Sequence, residues 1–148
     1  MEIITKSPEE TQNLGKKIAA NVSHGVYALS GQLGSGKTTF VQGFADGLGV
    51  TQRIISPTFI LLRSYDVKSD SDVKGENIKH FYHVDLYRLD DNLEEEIKNL
   101  GLPQIWSDKN SVVLIEWAEK IKNLLPQKTI WINFEYAPQD SRKIILEI

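Results

Sequence analysis

The chain has 148 residues, of which 41% are hydrophobic and 25% are charged, and we expect residues 1–148 to form a single soluble domain. It contains no cysteine, which excludes disulfides and thiolate metal sites. Its net charge of −3 argues against broad nucleic-acid binding by this chain alone. The amino terminus has no signal-peptide pattern, and no apolar run reaches the length of a membrane span. We therefore expect no membrane association, and the absence of cysteine is compatible with a reducing cytoplasm.

Strands and helices alternate along the middle of the chain. Ser7 is the expected N-cap of the first helix, and Asp91 with Glu94 forms a possible capping pair later in the chain. In chain order, the pattern predicts a strand at 1–5, a helix at 7–22, a strand at 25–30, a helix at 38–49, a strand at 56–67, a polar surface loop at 67–79, a strand at 80–89, a helix at 90–101 that stops at Gly101, a strand at 111–117, a helix at 118–126 and two strands within 128–148. This order favours an α/β layered fold, with a mixed, mostly parallel sheet and antiparallel edge strands.

The stretch "GQLGSGKTTF" matches the pattern G-x-x-x-x-G-K-[ST] completely, with Gly31, Gly36, Lys37 and Thr38 at the required positions. It follows the apolar run "GVYALS" and precedes an amphipathic helical segment. Strand, glycine loop and helix is the order that phosphate binding needs, because the glycines let backbone N–H groups turn toward phosphate oxygens at a helix N-terminus. The motif therefore predicts a nucleotide-binding phosphate loop in a P-loop NTPase-like, three-layer fold.

Two acidic residues end apolar strands, where a sheet delivers side chains to its ligand-binding edge. Glu116 closes "VVLIE", and Asp85 closes "FYHVD". A phosphate loop works with Mg²⁺, which takes the Thr38 hydroxyl and a carboxylate in its first or second shell. Glu116 is compatible with direct binding of the metal, binding through water, or activation of water.

The base of the nucleotide is assigned only by elimination. No N-K-x-D segment for guanine recognition is present, so adenine is favoured. A small-molecule kinase remains the alternative, although the scattered arginines do not form the usual lid pattern. A nucleotide-dependent binding module with negligible hydrolysis is a third hypothesis.

Four segments, "GQLGSGKTTF", "SPTF", "HVDLYRL" and "LIEW", occur in an order and spacing that resemble the bacterial TsaE (YjeE) family. The likeness spans nearly the whole chain, including "TQNLG" and "YAPQDSR". It implies a cytoplasmic ATPase, slow alone and dependent on the TsaD and TsaB proteins, that serves threonylcarbamoylation of adenosine 37 in tRNAs reading ANN codons. Because the net charge is −3 and the sequence has no basic cluster, we expect a protein with this implied role to contact tRNA only indirectly, through the complex.

The resemblance also implies roles for individual residues. ATP and Mg²⁺ are the implied cofactors, with Thr38 and Glu116 as metal-binding residues. Thr58 of "SPTF" would lie in a switch-like segment that senses the γ-phosphate. The implied catalytic residues are Lys37, Asp85 and Glu116, and the implied nucleotide-binding residues are Thr11, Leu33, Gly34, Ser35, Gly36, Lys37, Thr38 and Arg142.

Other polar and aromatic residues have competing interpretations. His80 and His83 are three apart on a strand, so we expect them on opposite faces and not as a chelating pair. Trp117 is interpreted as a packing anchor in preference to an adenine stacker. Tyr87 and Arg88 either face a partner or cap the solvent end of a strand.

Overall fold

The computed structural model describes residues 1–68 and 77–147. The described chain builds a sheet with helices on both faces. The strands are β1 (Glu2–Thr5), β2 (Gly25–Gly31), β3 (Leu62–Asp66), β4 (His80–Asp85), β5 (Ser111–Glu116), β6 (Ile130–Ala137) and β7 (Ser141–Glu147). The helices are α1 (Pro8–Ala19), α2 (Lys37–Leu48), α3 (Leu93–Asn99), α4 (Leu102–Trp106) and a 3₁₀ helix (Ala118–Leu124).

The sheet has the strand order β1-β7-β6-β2-β5-β4-β3. Its centre is parallel, because β2 pairs with both β5 and β6, and β5 pairs with β4. Its margins are antiparallel: β3 pairs with β4 at one side, while β7 pairs with β6 and β1 at the other. The predicted α/β class, with a mostly parallel sheet and antiparallel edges, is confirmed.

The core has two parts, one on each face of the sheet. On one face, the Phe40 and Phe44 rings of α2 pack with Phe81 and residues of β2, β5 and β6. On the other, Ile97 of α3 and Ile121 of the 3₁₀ helix pack with the opposite side of the same strands. Every residue of β5 is buried, since alternate side chains enter the two cores. Burial on both faces explains why its sequence is a continuous apolar run ending at the carboxylate.

The strand expected over 56–67 is wrong in its first half. Only Leu62–Asp66 form β3, while residues 58–60 turn and Leu61 adopts a positive φ of 69°. The amides of Ile60 and Leu61 both bond to the carbonyl of Pro57, at 3.1 and 2.6 Å, which closes the turn. The hydroxyls of this segment form hydrogen bonds with a carboxylate from another strand. Local β propensity cannot predict such an interaction, because it depends only on neighbouring residues.

Helix boundaries also differ from the expectations. Ser7 caps α1 as predicted, accepting a bond from the Glu10 amide at 3.1 Å. The expected Asp91–Glu94 capping pair is wrong, because Asn92 occupies the N-cap of α3 and makes no side-chain capping bond. The helix expected at 118–126 is a 3₁₀ helix that Ile121 interrupts with non-helical angles.

The segment after Gly101, which received no prediction, forms the short helix α4. The strand expected over 80–89 ends at Asp85. Most of the loop predicted at 67–79 lies outside the described residues. Its described ends are joined by a bond from the Val67 amide to the Lys79 carbonyl at 2.9 Å.

Within residues 1–68 and 77–147, no helix combines the length and apolar character that crossing a bilayer requires.

Candidate functional site

The phosphate-loop motif connects β2 directly to α2. Gly31, Gly34 and Gly36 all have positive φ angles, of 142°, 77° and 103°. At Gly31 a Cβ atom would lie 2.6 Å from the carbonyl oxygen of Phe134, so neither the angle nor the space admits a side chain. The loop therefore ends at the N-terminus of a twelve-residue helix, where backbone N–H groups and the helix dipole favour an anion.

A cavity of about 320 Å³ opens over this loop. Its lining contains all the residues that were expected to act in catalysis, nucleotide binding, metal binding or phosphate sensing, although these come from both ends and the middle of the chain. They are Thr11, Leu33, Gly34, Ser35, Gly36, Lys37, Thr38, Thr58, Asp85, Glu116 and Arg142. The structure brings the residues together, and their individual roles stay predictions.

Lys37 is 4% exposed and points its ammonium group back over the loop. Its Nζ donates to the carbonyl oxygen of Gly31 and lies 3.6 Å from the centre of the Trp117 ring. Burial lowers the pKa of Lys37, and the negative charges of Glu119, Glu116 and Asp85 oppose that shift. The ammonium group therefore lies in a largely buried position, where nearby carboxylates favour its charged form.

Glu116 ends β5 and is 2% exposed. Its Oε1 accepts a hydrogen bond from the Thr38 hydroxyl at 3.0 Å, and its Oε2 lies 2.6 Å from Nε2 of His83. The sheet face that carries Glu116 is the one on which α2 packs, which places Thr38 within reach. The two residues assigned to the metal from the sequence are therefore adjacent, and their metal-binding role stays a prediction.

Asp85 ends β4 and is aligned with Glu116 in the parallel pair. Its Oδ2 accepts from the hydroxyls of Thr58 at 2.8 Å and Ser56 at 3.3 Å, while its Oδ1 accepts from the amide of Tyr87 at 2.9 Å. One carboxylate thus connects the sheet edge with the "SPTF" segment. A change in the position of the Asp85 carboxylate would therefore act directly on the exposed turn, through these hydrogen bonds.

The residues around Thr38 fit a magnesium ion. Mg²⁺ prefers hard oxygen ligands, and the Thr38 hydroxyl and Glu116 carboxylate already meet in the cavity. Within the described part of the chain, no three His, Cys, Asp or Glu side chains converge as a metal cage.

Thr11 and Arg142 reach the cavity from opposite ends of the chain. The Thr11 hydroxyl is 2.7 Å from that of Thr5 in β1, and both residues are buried. Arg142 donates from Nη2 to the carbonyl oxygen of Gly34 at 3.2 Å and stacks on Tyr136 at 4.9 Å. Arg142 therefore supports the phosphate loop from outside, in addition to lining the cavity.

Several residues of the site received no role there from the sequence. Five line the cavity, namely Ser7, Pro8, Thr39, Ser56 and Asp140. Thr5, His83 and Tyr136 contact site residues from outside the cavity. The Tyr136 hydroxyl donates to the Leu33 carbonyl, which holds the exposed side of the loop. Period-2 alternation from Asp85 places His83 on the face of Asp85, and this pattern was the available signal. For Tyr136 the sequence carried none, because its partner is 103 positions away.

The aromatic residues near the cavity have mixed surroundings. The Trp117 ring packs against the core and also lines the cavity beneath Lys37. Tyr87 is 45% exposed, lines the cavity and lies 5.3 Å from the Trp117 ring. Arg88 donates to the carbonyl oxygen of Phe59 at 3.4 Å, and its guanidinium carbon lies 5.0 Å from the centre of the Phe59 ring.

Known proteins resemble this chain over most of its length. A Bacillus subtilis protein named tRNA threonylcarbamoyladenosine biosynthesis protein TsaE is 39% identical over 141 residues, covering 95% of this chain and 80% of the relative. A Treponema pallidum protein of the same name is 32% identical over 145 residues, covering 97% of this chain and 98% of the relative.

A solved structure and a family model agree with these relatives. The crystal structure of Bacillus subtilis YdiB superposes with a TM-score of 0.77 and 34% identity, covering 99% of this chain and 83% of the other. Residues 5–144 match the model of the family described as threonylcarbamoyl adenosine biosynthesis protein TsaE. That span includes the phosphate loop, both strand-end acids and Arg142. On these grounds, the chain belongs to the TsaE family.

Proposed function

We propose that this chain is a P-loop ATPase that binds and hydrolyses Mg²⁺-ATP in support of tRNA threonylcarbamoyladenosine formation. The observation that carries the proposal is the meeting of the phosphate loop, Lys37, Thr38 and two strand-end carboxylates in one cavity. The biological setting is supported by family membership and by the names of the relatives. Cytoplasmic location and indirect contact with tRNA belong to the same proposal.

Phosphate binding is assigned to the loop and its lysine. The amides of Leu33 to Thr38 would surround the phosphate oxygens, and Lys37 would supply a positive charge to the β- and γ-phosphates. Thr11 and Arg142 would lie at the edge of the nucleotide. Because Lys37 is already desolvated, its attraction to phosphate is less weakened by water than that of a surface lysine.

Hydrolysis is assigned to the two carboxylates. The oxygen of water bonds to the γ-phosphorus while the bond from that phosphorus to the β–γ bridging oxygen breaks. ADP leaves with the electron pair of that bond, and the proton of the water is released to inorganic phosphate or to solvent. When bound, Mg²⁺ would neutralise charge that develops on the phosphates. Thr38 and Glu116 would hold the ion, and Asp85 would orient groups beside the γ-phosphate. The bonds from Asp85 to Ser56 and Thr58 support a role for this segment in sensing the nucleotide.

Dependence on TsaD and TsaB is supported by apolar side chains beside the cavity. Phe59 and Ile60 on the "SPTF" turn are largely exposed, as are Leu33 on the phosphate loop and Tyr87 after β4. Exposed apolar groups next to a binding site favour contact with another protein. A partner covering them would touch the segments that contact Asp85 and the loop, and so could change turnover.

The test is an ATP hydrolysis assay in three arms. Phosphate release is measured with the chain alone, with TsaD and TsaB added, and with small-molecule acceptors added. We expect slow release alone and faster release with the two proteins. Phosphate transfer to an acceptor would support the kinase alternative. Tight nucleotide binding without release in any arm would support a binding module.

A further inference from the structure

His83 is the completely buried histidine of β4, and its ring reaches the functional carboxylate of the next strand. Its exposed fraction is 0%, and its Nε2 lies 2.6 Å from Oε2 of Glu116. In the register of β4 with β5, His83 is aligned with Leu114, two residues before Glu116. The ring is nearly parallel to that of Phe81, at 13° and 6.5 Å, so core packing holds its plane.

The two ring nitrogens have different surroundings, which identifies the tautomer. Nε2 faces the Glu116 carboxylate, while Nδ1 is buried with no hydrogen-bond partner among the described residues. A hydrogen on Nδ1 would be a buried donor without an acceptor, whereas a bare Nδ1 leaves only a lone pair unpaired. The hydrogen therefore belongs on Nε2, which donates to Oε2 of Glu116.

This bond holds one carboxylate oxygen while the other faces the loop. Oε1 accepts from the Thr38 hydroxyl at 3.0 Å, so the carboxylate is fixed at both oxygens. Without the His83 bond, the Glu116 side chain would be free to turn about its terminal torsion, which has broad minima. Hydrogen bonds of this kind orient metal-binding groups and set their affinity.

We propose that His83 is a positioning residue that donates from Nε2 to Glu116 and holds its carboxylate toward Thr38 for metal–nucleotide binding. The inference rests on the proposed nucleotide function of the cavity. His83 contacts neither phosphate nor the reacting atoms in this assignment, and it acts through Glu116. The proposal requires an N–H donor at one position on a buried side chain. It can therefore be tested by supplying a different donor at that position, as well as by removing the donor.

Two substitutions separate the N–H from the packing. His83→Phe keeps a flat ring beside Phe81 but removes the donor. His83→Gln places an amide N–H at the same number of bonds from the backbone as Nε2. The matched control is His80→Phe on the same strand, since His80 is partly exposed and makes a 3.7 Å contact with the exposed Asp66. Thermal unfolding of each variant establishes that it is folded.

The main readout is the gain in affinity for a non-hydrolysable ATP analogue when Mg²⁺ replaces EDTA. We expect His83→Phe to reduce this gain about 10- to 100-fold while the affinity in EDTA stays the same. We expect His83→Gln to restore the gain to within about threefold of wild type, since an oriented donor is present again. His80→Phe is expected to behave as wild type. Hydrolysis rates should follow the same order.

Several results would overturn the assignment. A wild-type Mg²⁺ gain in folded His83→Phe would show that the bond has no effect on metal binding. Equal defects in the Phe and Gln variants would show that ring packing, and not the donor, matters. If Mg²⁺ did not raise the affinity of the wild-type chain for the analogue, there would be no metal-dependent binding for His83 to support.

If His83→Phe does not fold, the position of the hydrogen on His83 is measured in the unsubstituted protein. The ¹⁵N spectrum of the labelled chain, which has three histidines, reports the hydrogen on each ring nitrogen. His83→Gln or, if that variant does not fold, ring-to-backbone correlations assign the His83 signals. We expect a protonated Nε2 and a bare Nδ1, and the reverse tautomer would overturn the proposal. Failure of the ATPase function is seen separately, as absent phosphate release with an intact Mg²⁺ gain.

Discussion

Lys37 shows how burial and charge are balanced at a single residue. Its side chain is buried, which lowers its pKa, but three carboxylates nearby favour the charged form. The ammonium group also contacts the Trp117 ring and the Gly31 carbonyl. None of these contacts belongs to the apolar core that holds α2 on the sheet. The lysine is therefore expected to matter for ligand binding much more than for folding.

Lys37→Ala is expected to remain folded and to lose productive use of ATP. Losing the charged partner of a phosphate costs about 2–5 kcal/mol, so ATP affinity should fall at least about thirtyfold. Titration with a fluorescent ATP analogue measures this loss, and circular dichroism reports the fold. Lys98→Ala is the control, because Lys98 is an exposed residue whose ion pair with Glu94 lies on the helix surface. Wild-type hydrolysis by folded Lys37→Ala would contradict the assignment.

Glu116→Gln is expected to lower turnover far more than ATP affinity. The loop amides and Lys37 would still hold the phosphates, while the orientation of metal and water would be impaired. Removing one such electrostatic group costs about 10²–10³ in turnover. Steady-state hydrolysis and nucleotide affinity in EDTA give the two quantities, and Asp85→Asn should change them in the same direction. Loss of affinity in proportion to rate would show that Glu116 serves binding alone.

At the scale of elements, α1 and α2 approach so closely that their backbones touch. A Cβ atom at Gly43 would lie 1.9 Å from the Gln12 carbonyl oxygen, and one at Gly15 would lie 2.4 Å from that of Phe40. These glycines place α1 directly against the helix that begins at the phosphate loop. Thr11, one residue before Gln12, depends on this contact for its place in the cavity.

Gly43→Ala is expected to destabilise the protein although alanine favours helices. The added methyl group must push α1 away, and overpacking of this kind costs about 1–3 kcal/mol, more where backbone is the obstacle. Denaturant unfolding measures the change in the free energy of unfolding. Asn13→Ala, on an exposed position of α1, is the control and should be neutral or slightly stabilising. An unchanged or higher stability of Gly43→Ala would contradict the close contact.

The central elements could be predicted from the sequence because their determinants are local. A few neighbouring residues are enough to predict the apolar strands β2 and β5, the glycine loop and the N-cap at Ser7. The strand-end position of Glu116 followed from the run of β5, and that of Asp85 followed from "FYHVD" in β4. The fold class could then be argued from the alternation of strands and helices, and the family from four short motifs.

The remainder could not be predicted because its determinants are distant. The turn after Ser56 depends on a carboxylate 29 positions later, so its apolar residues were interpreted as a strand. His83 contacts a residue 33 positions away. The local spacing of His83 and His80 bears only on chelation and carries no information about that distant contact. The 3₁₀ geometry of Ala118–Leu124 likewise does not follow from helical periodicity.

At the scale of the whole molecule, charge limits what the chain can bind without help. Acidic residues outnumber Lys and Arg, 20 to 17, and Lys37 is already assigned to the nucleotide. Arg142 is occupied by carbonyl oxygens of its own turn and of the phosphate loop. Nucleic-acid affinity arises mainly from neutralised phosphates. The protein is better suited to act on a complex than to hold RNA by itself.

The isolated chain is therefore expected to bind tRNA weakly, with a dissociation constant above about 1 μM at physiological salt. Titration at two salt concentrations tests this, since each neutralised phosphate contributes a slope of about −0.9 on duplex or −0.7 on single strands. A shallow slope would agree with few contacts. Submicromolar binding with a steep slope would show a folded basic surface and would place the RNA contact on this chain.

We propose that ATP used in this cavity supports formation of threonylcarbamoyladenosine in tRNA. The most direct test is the content of that nucleoside in bulk tRNA, measured by mass spectrometry, in cells whose only copy of this protein is wild type, Lys37→Ala or Lys98→Ala. Immunoblotting establishes equal protein levels. We expect normal content with wild type and Lys98→Ala and a severe loss with Lys37→Ala. Normal content with Lys37→Ala, at equal abundance, would contradict this proposal.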